Sequence, residues 1–312
     1  MGKKLLFRRS RWRQVRRAFR LDFRVFLILV LGLILGGAAW QFGIDGDQTP
    51  ATSPRARAGP RIPDPIPPGR LSVGPAQVEW AVRRAMRIGK PIRCGGGNQP
   101  VVALTFDDGP GPRTRRILRA LADHGASATF FLVGERLAFP DVPTIAAMGP
   151  SHAIGNHTWS HVSMRGIGKK RRRQEIMRAR RALEEAADAP VTLFRPPFGH
   201  RDRRLDALLS RLGIVQVLWN ETVGDNRSTN VERILFQIRR EVRPGAIILL
   251  HEKPPTVQAV PQILEILDER GLAPVTVPEL LALDPPSRAQ LQTGSCPAGS
   301  GTIRPEAAGG RP

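Results

Sequence analysis

Seven short apolar runs, separated by stretches of helical periodicity, constrain this chain more than any other feature of its sequence. Val101–Phe106, Ala128–Val133, His152–Gly155, Val191–Arg195, Val215–Trp219, Ala246–Leu250 and Pro274–Val277 have the length and apolar character of buried strands. Between them, Thr114–His124, Lys170–Ala187, Arg203–Leu212, Val231–Val242 and Val257–Arg270 repeat apolar residues at helical spacing. A helix after each strand returns the chain to the same edge, so successive strands run parallel. Seven βα steps over about 180 residues predict an α/β domain built on a parallel sheet, barrel-like or doubly wound. At 312 residues the chain has room for one such domain plus appendages.

The ionisable residues that interrupt this apolar pattern fall at one end of the expected strands. Thr105-Phe106-Asp107-Asp108-Gly109-Pro110 ends the first run in adjacent carboxylates. Successive strand side chains point to opposite faces, so the two acids can take different tasks. Gly155-Asn156-His157-Thr158-Trp159-Ser160-His161 follows the third run. Its histidines are four apart, which on a helical turn places both imidazoles on one face, able to reach one ion. Arg195 ends the fourth run, Asp225 follows the fifth and His251 the sixth. Taken singly, each has a structural reading. The histidine pair can be solvated, Arg195 can neutralise a buried carboxylate, Asp225 can cap the next helix, and His251 can close a core edge. Taken together they place carboxylates, imidazoles and a guanidinium on the face where parallel α/β barrels build active sites. One carboxylate and two imidazoles for a metal, a spare acid, and a third histidine with a carboxylate to orient it are the parts for metal-assisted hydrolysis.

In this order, TFDDGP, HTWSH, RPPFG, the Asp225 segment and ILLH resemble the five motifs of the polysaccharide deacetylases with a NodB homology domain, carbohydrate esterase family 4. The resemblance covers residues 99–283. It implies a distorted (β/α)7-type barrel and hydrolysis of N-acetyl, sometimes O-acetyl, groups on β-linked amino-sugar polymers. It implies Asp107 as general base, Asp108, His157 and His161 as ligands of a divalent metal, and Arg195 as the residue holding the base. Zn²⁺ is the first expectation for that metal, with Co²⁺ and Ni²⁺ as alternatives. It implies His251 as general acid partnered by Asp225, Leu249 in the acetate pocket, and the Phe198 N–H as an oxyanion donor where the family often has Tyr. Two positions depart from the pattern: Thr222 stands where Asp is frequent, and Asn226 where Trp is usual, which removes an apolar wall of the acetate pocket. The expected activity is removal of N-acetyl groups from N-acetylglucosamine of a cell-wall polysaccharide, peptidoglycan first. The alternatives are a chitooligosaccharide or O-acetyl deacetylase, or a wall-binding protein with weakened catalysis on the same fold.

The remaining segments concern location. Residues 1–24 hold ten of the 48 Lys and Arg and only one acid, Asp22. Residues 25–42 are almost wholly apolar, and eighteen helical residues span about 27 Å, close to a bilayer's hydrocarbon thickness. The basic flank sets the N-terminus in the cytoplasm, and an uncleaved signal anchor is favoured over a signal peptide cut near Gly37-Ala38-Ala39. Either places the remainder outside the cytoplasm. Residues 43–75 are a Pro-rich linker without core-forming content, and residues 76–98 a helical lead-in with an amphipathic stretch at Gln77–Ile88. The tail, 284–312, is Gly/Pro/Ser-rich and expected to be flexible. A Cys94–Cys296 bridge tying the two ends of the domain is favoured over two free thiols. The chain is +21 overall, a balance suited to anionic polymers or membrane surfaces. No nucleic-acid module is visible, and the dense charge of Lys169–Arg181 reads as a solvated helix face or a landing patch for anionic wall polymer. Oligomeric state is left open.

Overall fold

The computed structural model describes residues 73–138, 145–148 and 150–297. The basic leader, the apolar segment 25–42, nearly all of the linker and residues 298–312 lie outside the described residues. Among the described residues, no helix is long and apolar enough to cross a membrane.

The centre of the fold is β1 (Val101–Gly109), buried along nearly its whole length. The other strands are β2 (Thr129–Leu132), β3 (Ala153–Asn156), β4 (Leu193–Phe194), β5 (Val215–Gln216), β6 (Glu221–Thr222), β7 (Ile247–His251) and β8 (Ala273–Val275). Their order is β5-β4-β3-β2-β1-β7-β6, with β8 pairing the N-terminal half of β1, and every ladder is parallel. The expected strand–helix alternation is therefore met, with helices α2 (Thr114–Asp123), α3 (Lys169–Ala187), α4 (Arg203–Arg211), α5 (Val231–Glu241) and α6 (Pro254–Glu269) as crossovers. The sheet curls but does not close by strand pairing. Among the described residues no ladder joins β5 to β6, so the (β/α)7-type barrel is realised as a half-barrel. The reason is local: at β5 the lead-in takes the place of a neighbouring strand. Ile92 N–H donates to Gln216 O at 2.8 Å and Leu218 N–H to Ile92 O at 2.7 Å.

Strand alternation sorts β1 between two cores. Val102, Leu104 and Phe106 pack with Ile117, Leu121, Ile263 and Leu267 beneath α2 and α6. Val101 and Ala103 face the other way, with Phe131, Leu193, Val217 and Ile247. Thr105 and Asp107 continue this second series, so period-two geometry alone carries the Asp107 carboxyl into the curl of the sheet. Close approach demands Gly155 on β3, because a Cβ there would meet the Phe131 ring at 2.4 Å.

Both flanks of the domain are more ordered than their composition suggests. The lead-in contains α1 (Pro75–Ile88), which buries Ala81, Val82 and Ala85 in the core shared with α7 (Val277–Leu283). The tail begins with Asp284, which is buried and accepts from the N–H groups of Gly97 (2.7 Å) and Asn98 (3.1 Å). It continues into α8 (Arg288–Thr293), capped by Ser287 with Gln290 in return and anchored by Leu291. The expectation of a flexible tail from residue 284 is thus corrected as far as Pro297. Gly, Pro and Ser there supply caps and turns to a segment pinned by a buried carboxylate. Cys94 and Cys296 are bridged, their Cα atoms 6.0 Å apart.

Candidate active site

Asp107 and Asp108 both reach one cavity, for a reason that strand alternation does not supply. The β1–β2 register runs Asp107↔Phe131 and then Gly109↔Leu132, leaving Asp108 as the extra residue of a bulge, with φ +70°. In a regular strand the neighbouring carboxylates would point to opposite faces. The bulge re-aims Asp108 so that both line the same space.

The histidine motif also differs from the helical turn expected of it. Residues 157–161 are a loop after β3, in which Thr158 (φ +71°) and His161 (φ +53°) adopt left-handed backbone. The turn is held from α3: the Glu175 carboxylate accepts from Trp159 N–H (3.1 Å), Ser160 N–H (2.9 Å) and the Ser160 hydroxyl (3.0 Å). Asn156 adds a bond from Thr158 N–H at 2.8 Å. Both rings then turn toward Asp108, whose Oδ1 lies 3.0 Å from His161 Nε2 and 3.6 Å from His157 Nε2.

That oxygen is buried and has no partner in hydrogen-bonding geometry. An orphaned carboxylate oxygen facing two imidazole nitrogens, with the three ligand atoms within 4.8 Å of one another, suits a divalent cation. His157 is prepared for it. Its Nδ1 donates to Arg195 O at 2.7 Å, which leaves the Nε2 lone pair facing Asp108. Burial pushes its pKa down to about 4, against the Asp107 and Asp108 carboxylates, so the ring is neutral at neutral pH. Burial would raise the Asp108 carboxyl, but His161 and His157 outweigh it and hold it well below the usual carboxylate range.

Beside the metal triad, Asp107 is fixed by Arg195, the largest fully buried side chain in the domain. Arg195 Nη1 donates to Asp107 Oδ1 at 2.7 Å and to Thr105 Oγ1 at 2.7 Å, and Nη2 to Leu218 O at 3.0 Å. The guanidinium lies 4.1 Å from the Phe131 ring centroid. Asp107 Oδ2 stays on the cavity side, 3.8 Å from His157 Nε2. Across the cavity, His251 Nδ1 donates to Asp225 Oδ1 at 2.9 Å, while Asp225 Oδ2 accepts from His251 N–H (2.6 Å) and Thr256 Oγ1 (2.7 Å). Burial lowers the His251 pKa, but the bond to Asp225 and its charge win, so the ring sits above its ordinary value.

The cavity between these groups holds about 450 Å³. Leu249 and Phe198 line it as expected. Phe198 is half-exposed on a turn with φ +60°, its ring edge-on to His161 at 4.9 Å. Thr222 and Asn226, the two departures, also line it, as does Trp219. All nine residues singled out from the sequence therefore converge here.

Sequence reasoning did not single out Glu175 as the clamp of the histidine loop, nor the cations Arg93, Arg165, Arg201 and Lys253 around the cavity. It also missed Glu252, buried next to His251, whose Oε2 accepts from Thr114 Oγ1 at 2.5 Å. Burial raises the Glu252 carboxyl to about 7. Glu175, an acid in the middle of α3 that faces two backbone amides, has no sequence signature. The basic helix is only in part the solvated face expected: Arg172 is buried and pairs with Asp202 at 2.9 Å, and Arg178 stacks on Trp159 at 3.7 Å.

A curled parallel sheet with a two-histidine, one-carboxylate triad, a held carboxylate and a buried His–Asp pair at the strands' C-terminal ends has the groups that metal-assisted hydrolysis uses. Comparison with known proteins agrees. Residues 95–217 match the polysaccharide deacetylase family. A peptidoglycan-N-acetylglucosamine deacetylase of Bacillus cereus is 32% identical over 191 residues, 59% of this chain and 89% of that protein. The peptidoglycan-N-acetylmuramic acid deacetylase PdaC of Bacillus subtilis is 32% identical over 185 residues, where the match spans 39% of that longer protein. The crystal structure of the Bc1960 peptidoglycan N-acetylglucosamine deacetylase superposes with a TM-score of 0.59 at 29% identity, covering 64% of this chain and 94% of that one. The chain belongs to the polysaccharide deacetylase family, carbohydrate esterase family 4.

Proposed function

We propose that this protein hydrolyses N-acetyl groups from the N-acetylglucosamine units of peptidoglycan, with Zn²⁺ in the triad of Asp108, His157 and His161. The observation that carries the reading is the assembly, around one cavity, of that triad with the Arg195-held Asp107 and the Asp225-held His251. A divalent ion bound by the triad supplies a Lewis acid for the acetamide oxygen and for the attacking water.

The chain's own residues account for the proton movements. Asp107 Oδ2 faces the cavity and accepts the proton of the attacking water, while Arg195 occupies Oδ1 and fixes the carboxylate plane. The Phe198 N–H donates to the oxygen that gains charge as the acetamide carbon becomes tetrahedral. Asp225 accepts from His251 Nδ1–H, so the proton of the imidazolium that faces the cavity is on Nε2, ready for the departing amine nitrogen. Water attacks directly, the C–N bond breaks, and acetate and a free amine leave. Leu249, Leu218 and Trp219 supply the apolar side for the acetyl methyl, in place of the wall that Asn226 does not give.

The location we propose is a membrane anchor at 25–42 with the domain outside the cytoplasm. The Cys94–Cys296 bridge supports that compartment, since structural disulfides are rare in a reducing cytosol. The test is acetate release from peptidoglycan and from chitin oligomers by purified protein, before and after chelation and Zn²⁺ restoration, with Asp107→Asn as control. Acetate that disappears on chelation, returns with Zn²⁺ and is missing from the variant supports the reading. Stoichiometric metal with no acetate from any polymer refutes it.

A further inference from the structure

We infer that the mouth of this cavity is an anion subsite that seats a carboxylate carried by the saccharide chain, next to the acetamido group being hydrolysed. The inference rests on the function proposed above and specifies the substrate: an acidic amino-sugar polymer rather than a neutral one.

Four cations from four separate segments line the cavity: Arg93 from the lead-in, Arg165 beyond the histidine loop, Arg201 before α4, and Lys253 after β7. The lining carboxylates are Asp107, which pairs with Arg195, and Asp108, which faces the two imidazoles at the proposed metal site. At the mouth, Asp206 pairs with Arg201 through Nε at 3.1 Å and through Nη2. Arg93 is half-buried and close enough to Arg201 to be perturbed by it; burial first, then that guanidinium, lower its pKa against the pull of Asp206. Arg93 and Arg165 make no side-chain hydrogen bond or ion pair among the described residues.

A general excess of basic residues explains exposed cations, not this one. Withdrawing a guanidinium from water beside a second guanidinium is unfavourable unless an anion completes the set. The fork of an arginine matches a carboxylate in two-point geometry. Arg93 is also held in place. Ile92 is hydrogen-bonded into the sheet beside β5, while Cys94 bridges Ala246 and forms the disulfide. With the backbone fixed on both sides, binding here orders only the Arg93 side chain and no segment of chain. An acetylated neutral oligosaccharide offers such a group hydroxyl and carbonyl acceptors but no counter-charge. A lactyl ether, a uronate or a stem-peptide carboxylate does.

The experiment compares acetate release from a neutral chitin oligomer and from carboxymethylated chitin of the same length, using the full chain loaded with Zn²⁺. The wild type is expected to prefer the carboxymethylated polymer in kcat/KM. Arg93→Gln should cut that preference about tenfold, mainly through KM, with part restored by Arg93→Lys, and Arg165→Gln should cut it less. The wild-type preference should shrink as salt is raised. Equal kcat/KM on the two polymers in the wild type, or equal losses on both in Arg93→Gln, overturns the inference. Calorimetric binding of the same two oligomers reads the subsite independently of turnover. Preferential binding of the acidic oligomer without acetate release refutes the proposed function and leaves the subsite standing; indifferent binding refutes the subsite. Lactyl-bearing glycan strands with and without stem peptides, run in parallel, separate the two carboxylate sources in peptidoglycan.

Discussion

Replacing Asp225 by Asn tests the proton-donor side of the site with little change of shape. The Asp225 carboxylate is buried and accepts three bonds, from His251 N–H at 2.6 Å, His251 Nδ1–H at 2.9 Å and Thr256 Oγ1–H at 2.7 Å. An amide has one acceptor oxygen and two donors, so its NH₂ must face at least one group that donates. If the amide presents NH₂ to Nδ1, the neutral ring switches to the Nε2–H tautomer, and the imidazolium that donates the proton is disfavoured because its Nδ1–H would face a donor. If it presents oxygen there, the His251 N–H and the Thr256 hydroxyl lose their acceptor. In both cases the negative charge is gone, and burial, the largest influence on His251, then lowers its pKa without the opposition of Asp225. A positioned general acid contributes about 10²–10⁴-fold, so kcat should fall roughly a thousandfold with KM changed only a few-fold. Wild-type kcat should decline as pH rises through the raised His251 pKa, and in Asp225→Asn this basic limb should move to lower pH. Stability follows the same sign. The raised pKa contributes stability that is fully present below the unfolded value near 6.5 and lost as pH rises through the folded one. Asp225→Asn should therefore lose most stability on the acidic side of that window. The assay is acetate release across pH, with chemical unfolding at the same pH values. A kcat within threefold of wild type and an unmoved basic limb would refute the assignment of His251 and Asp225 as the acid pair.

Arg195→Met leaves the Asp107 carboxylate buried without its counter-charge, which should cost about 3–5 kcal/mol and lower Tm by about 6–20 °C. Arg195→Met combined with Asp107→Asn should recover much of that loss in thermal unfolding, and strict additivity would sink the argument. Glu175→Ala frees the histidine loop from its clamp and should weaken metal binding about 10–100-fold in a chelator competition, with unchanged affinity as the contrary result. Reducing the Cys94–Cys296 bridge opens a 202-residue loop, a change the chain-entropy account sets at about 5 kcal/mol. Denaturant unfolding with and without reductant measures it, and coincident curves would show that the flanks hold by packing alone.

What the sequence made legible was periodicity and chemistry at strand ends. Alternating apolar runs predicted an all-parallel sheet, and Asp107, Asp108, His157, His161, Arg195, Asp225 and His251 at run ends predicted a single site. What it hid were features set by backbone detail or by distant neighbours. Two adjacent acids on a strand imply opposite faces; only the bulge at Asp108 brings them together. A four-residue histidine spacing implies a helical turn, whereas here two left-handed residues and the Glu175 carboxylate do the same work. Glu175 itself was masked by the arginines of α3. Arg93 lies before β1 and gains significance only when Ile92 joins the sheet beside β5. In the tail, the Ser287–Gln290 spacing was a readable cap signal, outweighed by the Gly, Pro and Ser around it.

One residue ties these separate groups into a unit. The Arg195 guanidinium holds the proposed base through Asp107 Oδ1, and its backbone carbonyl receives Nδ1–H of His157, a proposed metal ligand. Its N–H in turn donates to Asn156 O at 3.0 Å, the residue just before that histidine. The register of β3 on β4 therefore sets, through one residue, the positions of the proposed proton acceptor and of a proposed metal ligand relative to each other. A side-chain substitution at Arg195 removes the first connection and leaves the second, because the carbonyl is common to every residue. Base function and metal affinity should thus separate in Arg195→Met: turnover lost, metal retained. Loss of both together would mean that the guanidinium supports the β3–β4 edge itself, and that the geometry of the triad depends on packing around Phe131 and Trp219 rather than on the strand register.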